Sequence, residues 1–553
     1  MSSPLDGRAL CLLAGTALLF VVVTVDGQSP IPANRADRPS THAAVGLFTH
    51  SENCIACHNN LSTVAGEDVS IGTAWRSTIM ANAARDPYFH ASVRRETLNH
   101  PSRSRDIQDE CAACHVPMAQ KNAHLAGRLA TVLADPSGLE PDARERLARD
   151  GVSCTVCHQI TNDGLGSTAS FNGNFRLPAA RPDGIREVFG PFAVDRGRHT
   201  IMRSATGFEQ VEAPHVRQSE LCATCHTLIT TAFDREGRVI GSLPEQMNYQ
   251  EWRQSAFYDE KRSCQSCHMP RAAGPVRVSS VLGDERDGLS RHAFIGGNAF
   301  MLRLLNRFRE ALNVEAPQNE LEATARLTEQ QLRRDTATLD VSAPRTTDQF
   351  VEFDVTVRNL TGHKFPTGYP SRRVWLHVRV LGADGRPLFE SGALTSAGAI
   401  VGNDNDDDGR VFEQHYDVID RADQVQIYES VLGDAASRPT TGLLSAITYL
   451  KDNRLLPRGF DKATADAAIG VFGAAREDGT FSGGSDRVLY RVSRPTGQRW
   501  TRIEVELNYQ PIGYRWAHNL ADSPASETSA FLQFFRAMEQ STTTTIASTA
   551  VVN

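Results

Sequence analysis

Between residues 340 and 515 apolar and polar positions alternate. Val351, Phe353, Val355 and Val357 are interleaved with Glu352, Asp354 and Thr356. Val374, Leu376, Val378 and Val380 are interleaved with Trp375, His377 and Arg379, and Ile503, Val505 and Leu507 repeat the period. A period of two with glycine turns such as Ala383-Asp384-Gly385 predicts half-buried antiparallel strands, with Trp375, His377 and Arg379 on the outer face. Upstream the pattern is different. Helical spacing is confined to 74–84, 141–149, 300–312 and 317–334, and breaker-rich stretches such as 171–190 lie between. The fold class predicted is α+β and multidomain. A mostly helical and irregular domain spans 28–316, a helical linker 317–339 and a β-sandwich-like domain 340–520. Residues 521–553 are a helical or disordered tail, whose Ser/Thr-rich end from Ser541 reads as disordered.

The first 27 residues form a separate segment. Arg8 precedes an apolar run over 9–25, and small residues follow at Gly27 and Ser29, which predicts a cleaved secretory signal. An uncleaved anchor is the alternative, with the run at the short limit for a membrane span. Membrane contact is then at most peripheral or through that anchor, and the expected location is periplasmic or extracellular. The net charge of −7 over 553 residues carries no nucleic-acid footprint.

Cysteine changes the picture most. Of 11 cysteines, Cys11 lies in the leader. The other ten form five pairs, each closed by histidine: Cys54/Cys57/His58, Cys111/Cys114/His115, Cys154/Cys157/His158, Cys222/Cys225/His226 and Cys264/Cys267/His268. Zinc or thioredoxin-like chemistry does not require histidine after every second cysteine, whereas covalent haem attachment does. Two thiols three residues apart reach the two vinyl groups of one porphyrin, and the next histidine is the proximal iron ligand. The sequence therefore predicts five covalently bound haem c groups. No cysteine remains for a disulfide or a nucleophile. With about 43 residues per motif, the haems themselves are expected to form much of the core of that half.

Twelve histidines remain as candidates for the sixth iron ligands. His199 and His215 precede the fourth motif, His292 follows the fifth within Arg-His-Ala-Phe-Ile-Gly-Gly-Asn, and His363 sits in a Gly-His-Lys-Phe-Pro-Thr-Gly turn. Met80, on a helical stretch, is either core or a thioether ligand that raises the potential. Asp404, Asp406 and Asp408, before Gly409, match the opening of a calcium loop, although His415 and not glutamate stands twelfth.

Several stretches outside the motifs carry a resemblance: Trp75-Arg-Ser-Thr-Ile-Met80-Ala-Asn-Ala-Ala-Arg-Asp-Pro-Tyr, Arg198-His199-Thr-Ile-Met, Pro244-Glu-Gln with Tyr249-Gln-Glu-Trp252, Met269-Pro270, His292-Ala-Phe-Ile-Gly-Gly-Asn and Gly362-His363-Lys-Phe-Pro-Thr-Gly. Together with the motifs, over most of 50–520, they make the chain resemble multihaem cytochromes c of bacterial periplasms and cell surfaces. That group holds tetrahaem cytochromes, pentahaem nitrite reductases and octahaem hydroxylamine oxidoreductases. The resemblance implies that the five motif histidines are proximal ligands. The chain departs from the nitrite reductases, which carry a proximal lysine, and lacks the eight haems of the hydroxylamine oxidoreductases.

The expected function is electron transfer between redox partner proteins outside the cytoplasm, with no nucleic acid involved. An alternative is an oxidoreductase acting on a small nitrogen or sulfur compound at one open haem iron. A third reading is a polymeric haem wire with inter-subunit ligands from His42, His50 or His518.

Overall fold

The computed structural model describes residues 46–134, 141–494 and 498–553; the leader, Cys11 and His42 lie outside them. The fold is mixed α+β. No helix among the described residues is long and apolar enough to cross a membrane.

The alternating segments form a sandwich. One sheet has the order Pro387–Ser391, Arg373–Gly382, Trp500–Gln510, Thr544–Val552, and the other Val418–Ile419, Ser485–Ser493, Phe350–Asn359, Ala337–Val341. Val351, Phe353, Val355 and Val357 face Val374, Leu376, Val378, Ile503, Val505 and Leu507 across one buried core. Period-two patterning places one set of each strand inside, and burying a large aliphatic side chain gains about 1.5–3 kcal/mol. His377 is on the outer face as predicted, between Glu390 (3.0 Å) and Glu506 (3.1 Å). Trp375 is not. It is fully buried against Ile400, Val425 and Ile427, and its indole N–H donates to the Gly392 carbonyl at 2.9 Å. The 392–427 segment covers that end of the outer face, an event no strand pattern encodes.

The tail also departs from expectation. Thr544–Val552 is an ordered strand paired antiparallel with Trp500–Gln510, with Ile546 in the sandwich core. Its threonines are β-branched and suit a strand as well as isoleucine does. The helix Ser526–Arg536 packs through Phe531 and Phe535 against Tyr88 and Ala91 of the helix Pro87–Asn99 and against Phe300–Leu305. Arg94 grips Glu527 with Nε at 2.9 Å and Nη2 at 2.8 Å. In the upstream half the helices are short. Ile71–Arg76 covers only the start of the predicted 74–84 helix, 141–149 forms two 3-10 turns, and Ala299–Arg307 and Gln318–Asp335 match their predicted positions.

One buried carboxyl in this half has a measurable consequence. Glu245, on the strand Val239–Gln246, accepts from Thr230 Oγ1 at 2.5 Å and Gln246 Nε2 at 3.2 Å. Burial, with Glu96 and Glu110 adding to it, pushes its carboxyl up to about 7. The folded chain therefore holds a proton that the unfolded chain releases near pH 4.5. The associated stability is present below that pH and is lost as pH rises through 7, by about 3 kcal/mol. Denaturant midpoints are expected to fall between pH 5 and 8, and Glu245→Gln to flatten that slope; an unchanged slope in the variant removes Glu245 as its origin.

Candidate functional site

Each cysteine pair sits on a helical turn, which sends residues three apart to one side. Cys111–His115 ends the helix Ser104–His115, while Cys154–Cys157 and Cys264–His268 are single turns. All ten motif cysteines are free of disulfides. The motifs lie against one another. Cys54 is in side-chain contact with Cys154, Cys114 with Cys225 and Cys222 with Cys264, and Cys157 is within electrostatic range of Cys225 and Cys222. The contact order is first–third–fourth, with the second and fifth both on the fourth.

The histidines show how these sites are held. Nδ1 of His58 bonds the Val278 carbonyl at 2.6 Å, Nδ1 of His158 the Phe189 carbonyl at 2.6 Å, and Nδ1 of His268 the Ile295 carbonyl. A carbonyl on Nδ1 fixes the ring and leaves Nε2 as the metal-facing atom. His292 and His363 repeat the device through Ser290 O at 3.0 Å and Lys364 O at 2.8 Å. His158 and His292 then face each other with ring centroids 6.3 Å apart and planes 20° apart, and His268 and His363 with centroids 6.3 Å and planes 15° apart. Two metal–nitrogen bonds of about 2 Å, plus the ring radius on each side, place trans imidazoles roughly 6.4 Å apart. The third and fifth motifs thus present paired rings that fit one iron each. Burial lowers His292 to about 3 and His363 to about 4, so both are the neutral imidazoles that metal ligation requires. Burial likewise lowers His115 and His226 to about 4.

The other predicted ligands are placed differently. His199 lies on the helix Arg196–Thr206, which abuts the first-motif helix Glu52–Ile55, and its Nδ1 is 3.3 Å from Glu209. His215 is buried, but its Nε2 bonds the Ile160 carbonyl at 2.8 Å. Met80 is half-buried in the turn after Ile71–Arg76, where its carbonyl accepts from Val152 N at 3.0 Å. None of the three is brought opposite a motif histidine in a ring pair like the two above. His90, one of the twelve candidate histidines with no distinguishing local pattern, has a buried Nε2 without a partner and a ring that takes the Ala84 carbonyl. Arg95 Nε is also buried without a partner, whereas the side chains of Ser92 and Tyr369 interact with each other. Ser92 and Arg95 share the helix Pro87–Asn99 with Tyr88, which stacks edge-on against Tyr369 at 5.9 Å.

The calcium expectation is corrected. Asp406 accepts from Arg373 Nη1 at 2.8 Å and Ile400 N at 2.8 Å, and Asp408 is held by Arg410, so Asp404, Asp406 and Asp408 do not converge. Among the described residues His415, Asp478 and Asp486 do converge. Gln426 Nε2 (2.9 Å) and Asn453 Nδ2 (3.0 Å) both donate to His415 Nδ1. The amide oxygens of Gln426 and Asn453 accept from Tyr416 N and Glu429 N, so neither amide can flip. His415 Nε2 therefore carries the proton and donates it to Asp478 at 3.0 Å. The imidazole of His415 has no lone pair left for a cation, and through Gln426, which also donates to Asp486 at 3.0 Å, the group is a hydrogen-bond network inside the sandwich.

No protein-family model and no curated protein matches the chain. A solved structure similar to it is a penta-heme cytochrome c552 from Thermochromatium tepidum, 16% identical, with a TM-score of 0.49 over 92% of this chain and 99% of that one.

Proposed function

We propose that the chain is an exported five-haem c-type cytochrome that transfers electrons between redox partner proteins outside the cytoplasm. The observation that carries this is the pairing of His158 with His292 and of His268 with His363, each at 6.3 Å, on two motifs whose spacing suits covalent haem attachment. Cys54, Cys57, Cys111, Cys114, Cys154, Cys157, Cys222, Cys225, Cys264 and Cys267 would form the thioethers, and His58, His115, His158, His226 and His268 would be proximal ligands. Bound there, haem c supplies reversible one-electron chemistry at potentials set by its axial ligands and surroundings. The residues' own contribution is to fix both axial rings through backbone carbonyls and to keep them neutral by burial. The motif contacts keep all five sites in one connected group, branched at the fourth. Export, a periplasmic or extracellular location and a haem-carrying domain distinct from the sandwich belong to the same reading.

The second reading, an oxidoreductase with one open iron, is favoured by one observation. Arg95 Nε is buried without a partner, in the neighbourhood of Tyr88 and Tyr369. Such a donor suits a small anion. Low-temperature EPR of the oxidised, haem-matured protein separates the two: the carrier reading expects five low-spin irons, and a stoichiometric high-spin signal overturns it in favour of the enzyme.

A further inference from the structure

We infer that Glu251 is the positioning residue that holds His363 at the axial site of the fifth motif. This rests on the reading that His268 and His363 share an iron. His363 belongs to the loop that leaves the strand Phe350–Asn359, and its carbonyl accepts from Asn359 Nδ2 at 2.9 Å and Thr361 Oγ1 at 2.8 Å. Both contacts come from the sandwich side. From the motif side a carboxylate reaches across. Glu251, on the helix Asn248–Arg253 between the fourth and fifth motifs, accepts through Oε2 from the Lys364 backbone N–H at 3.2 Å and from Thr367 Oγ1 at 2.5 Å. Those two bonds bracket the residues immediately after the ligand.

The carboxylate is fully buried and balanced. Its Oε1 lies 3.0 Å from Arg454 Nη1, in an ion contact without hydrogen-bond alignment. Arg454 also donates to Asp452 through Nε at 2.9 Å and Nη2 at 2.8 Å. Lys364, with 0% of its surface exposed, donates from Nζ to Asp452 at 2.7 Å and to the Gly470 carbonyl at 2.8 Å. Two cations and two carboxylates therefore form a closed, neutral set, the arrangement that buried charge requires. Glu251 is the member that belongs to the motif half, and it alone in the set accepts from the backbone N–H next to His363. Removing its charge leaves a net positive set beside the ligand, which favours the reduced iron and raises the potential.

The test uses holoprotein matured with haem and three variants, read by EPR and by potentiometric titration. His363→Ala is expected to turn one of five irons high-spin. Glu251→Ala is expected to give the same single high-spin iron, returned to low spin by added imidazole. Glu251→Gln keeps an amide oxygen for Lys364 N–H and Thr367, so it is expected to stay low-spin with one midpoint potential shifted upward and four unchanged. If His363→Ala produces no high-spin iron, the ligand reading fails. If it does, but both Glu251 variants match the wild type in spin state and in potential, the inference about Glu251 alone is overturned. Should Glu251→Ala not accumulate, the Glu251→Gln potential decides, and an unshifted value overturns the inference.

Discussion

Produced with alanine at all ten motif cysteines, the chain is expected to lose the fold of residues 46–310 while keeping the sandwich. The two halves are stabilised differently. The sandwich has one continuous apolar core, running from Val351 and Phe353 through Val378 to Ile503 and Leu507. The motif half has separate clusters instead, and the largest of them, around Tyr88 and Phe300–Leu305, is completed by Phe531 and Phe535 from the far end of the chain. Phe48, Met118, Val156, Ile160 and Phe175 form one; Leu61, Val69, Ala272, Val276 and Leu289 another; Phe171, Ala223, Tyr249, Trp252 and Phe257 a third. Apolar clusters of that size do not offset the conformational entropy of the residues around them, about 1–2 kcal/mol per residue for the backbone alone. Covalently held porphyrins would supply the missing apolar contact. Far-UV circular dichroism should show the helical signal lost and the sheet signal kept, and limited proteolysis should cut before residue 310. A variant with wild-type dichroism and protease resistance would show that the polypeptide packs without its cofactors.

The second large effect concerns a single side chain. His292→Ala is expected to convert one low-spin iron to high spin and to let cyanide or imidazole bind there, whereas His215→Ala leaves all five irons unchanged. The contrast follows from which nitrogen is free. His292 spends Nδ1 on Ser290 and turns toward His158, while His215 spends Nε2 on Ile160. Sequence position alone ranks the two histidines equally. An EPR spectrum of His292→Ala with no new high-spin component would break the pairing proposed for the third motif.

How much was legible in the chain depends on how local the cause is. The five cysteine pairs with their histidines stand out in the chain because their spacing is fixed within one helical turn. The sandwich strands at 351–357 and 374–380 could be read because burial of one face imposes a period of two. His292 and His363 could be nominated but not paired, since each meets its partner only after the chain folds back. The burial of Trp375 has no local signature, because its cover, Ile400 and Val425, comes from a distant loop. The acidic run at 404–408 mimicked a calcium loop, but Arg373, some thirty residues upstream, takes Asp406. The Ser/Thr-rich composition of Thr544–Val552 resembles a disordered end, whereas its β-branched side chains suit the strand it forms. Glu251 lies in the Tyr249–Trp252 stretch, but its role comes from Lys364 and Arg454, more than a hundred residues further on.

The bond from His58 to the Val278 carbonyl spans 220 residues, and Ser280 N closes onto the Cys57 carbonyl at 2.8 Å beside it. The first motif to leave the ribosome therefore waits for the segment made after the fifth before its own histidine is fixed. His158, whose anchor Phe189 lies only 31 residues on, has no such delay. Maturation is thus expected to run out of chain order, with the third site set before the first. A chain truncated before residue 278 would carry its first motif with an unanchored histidine, however complete the attachment chemistry.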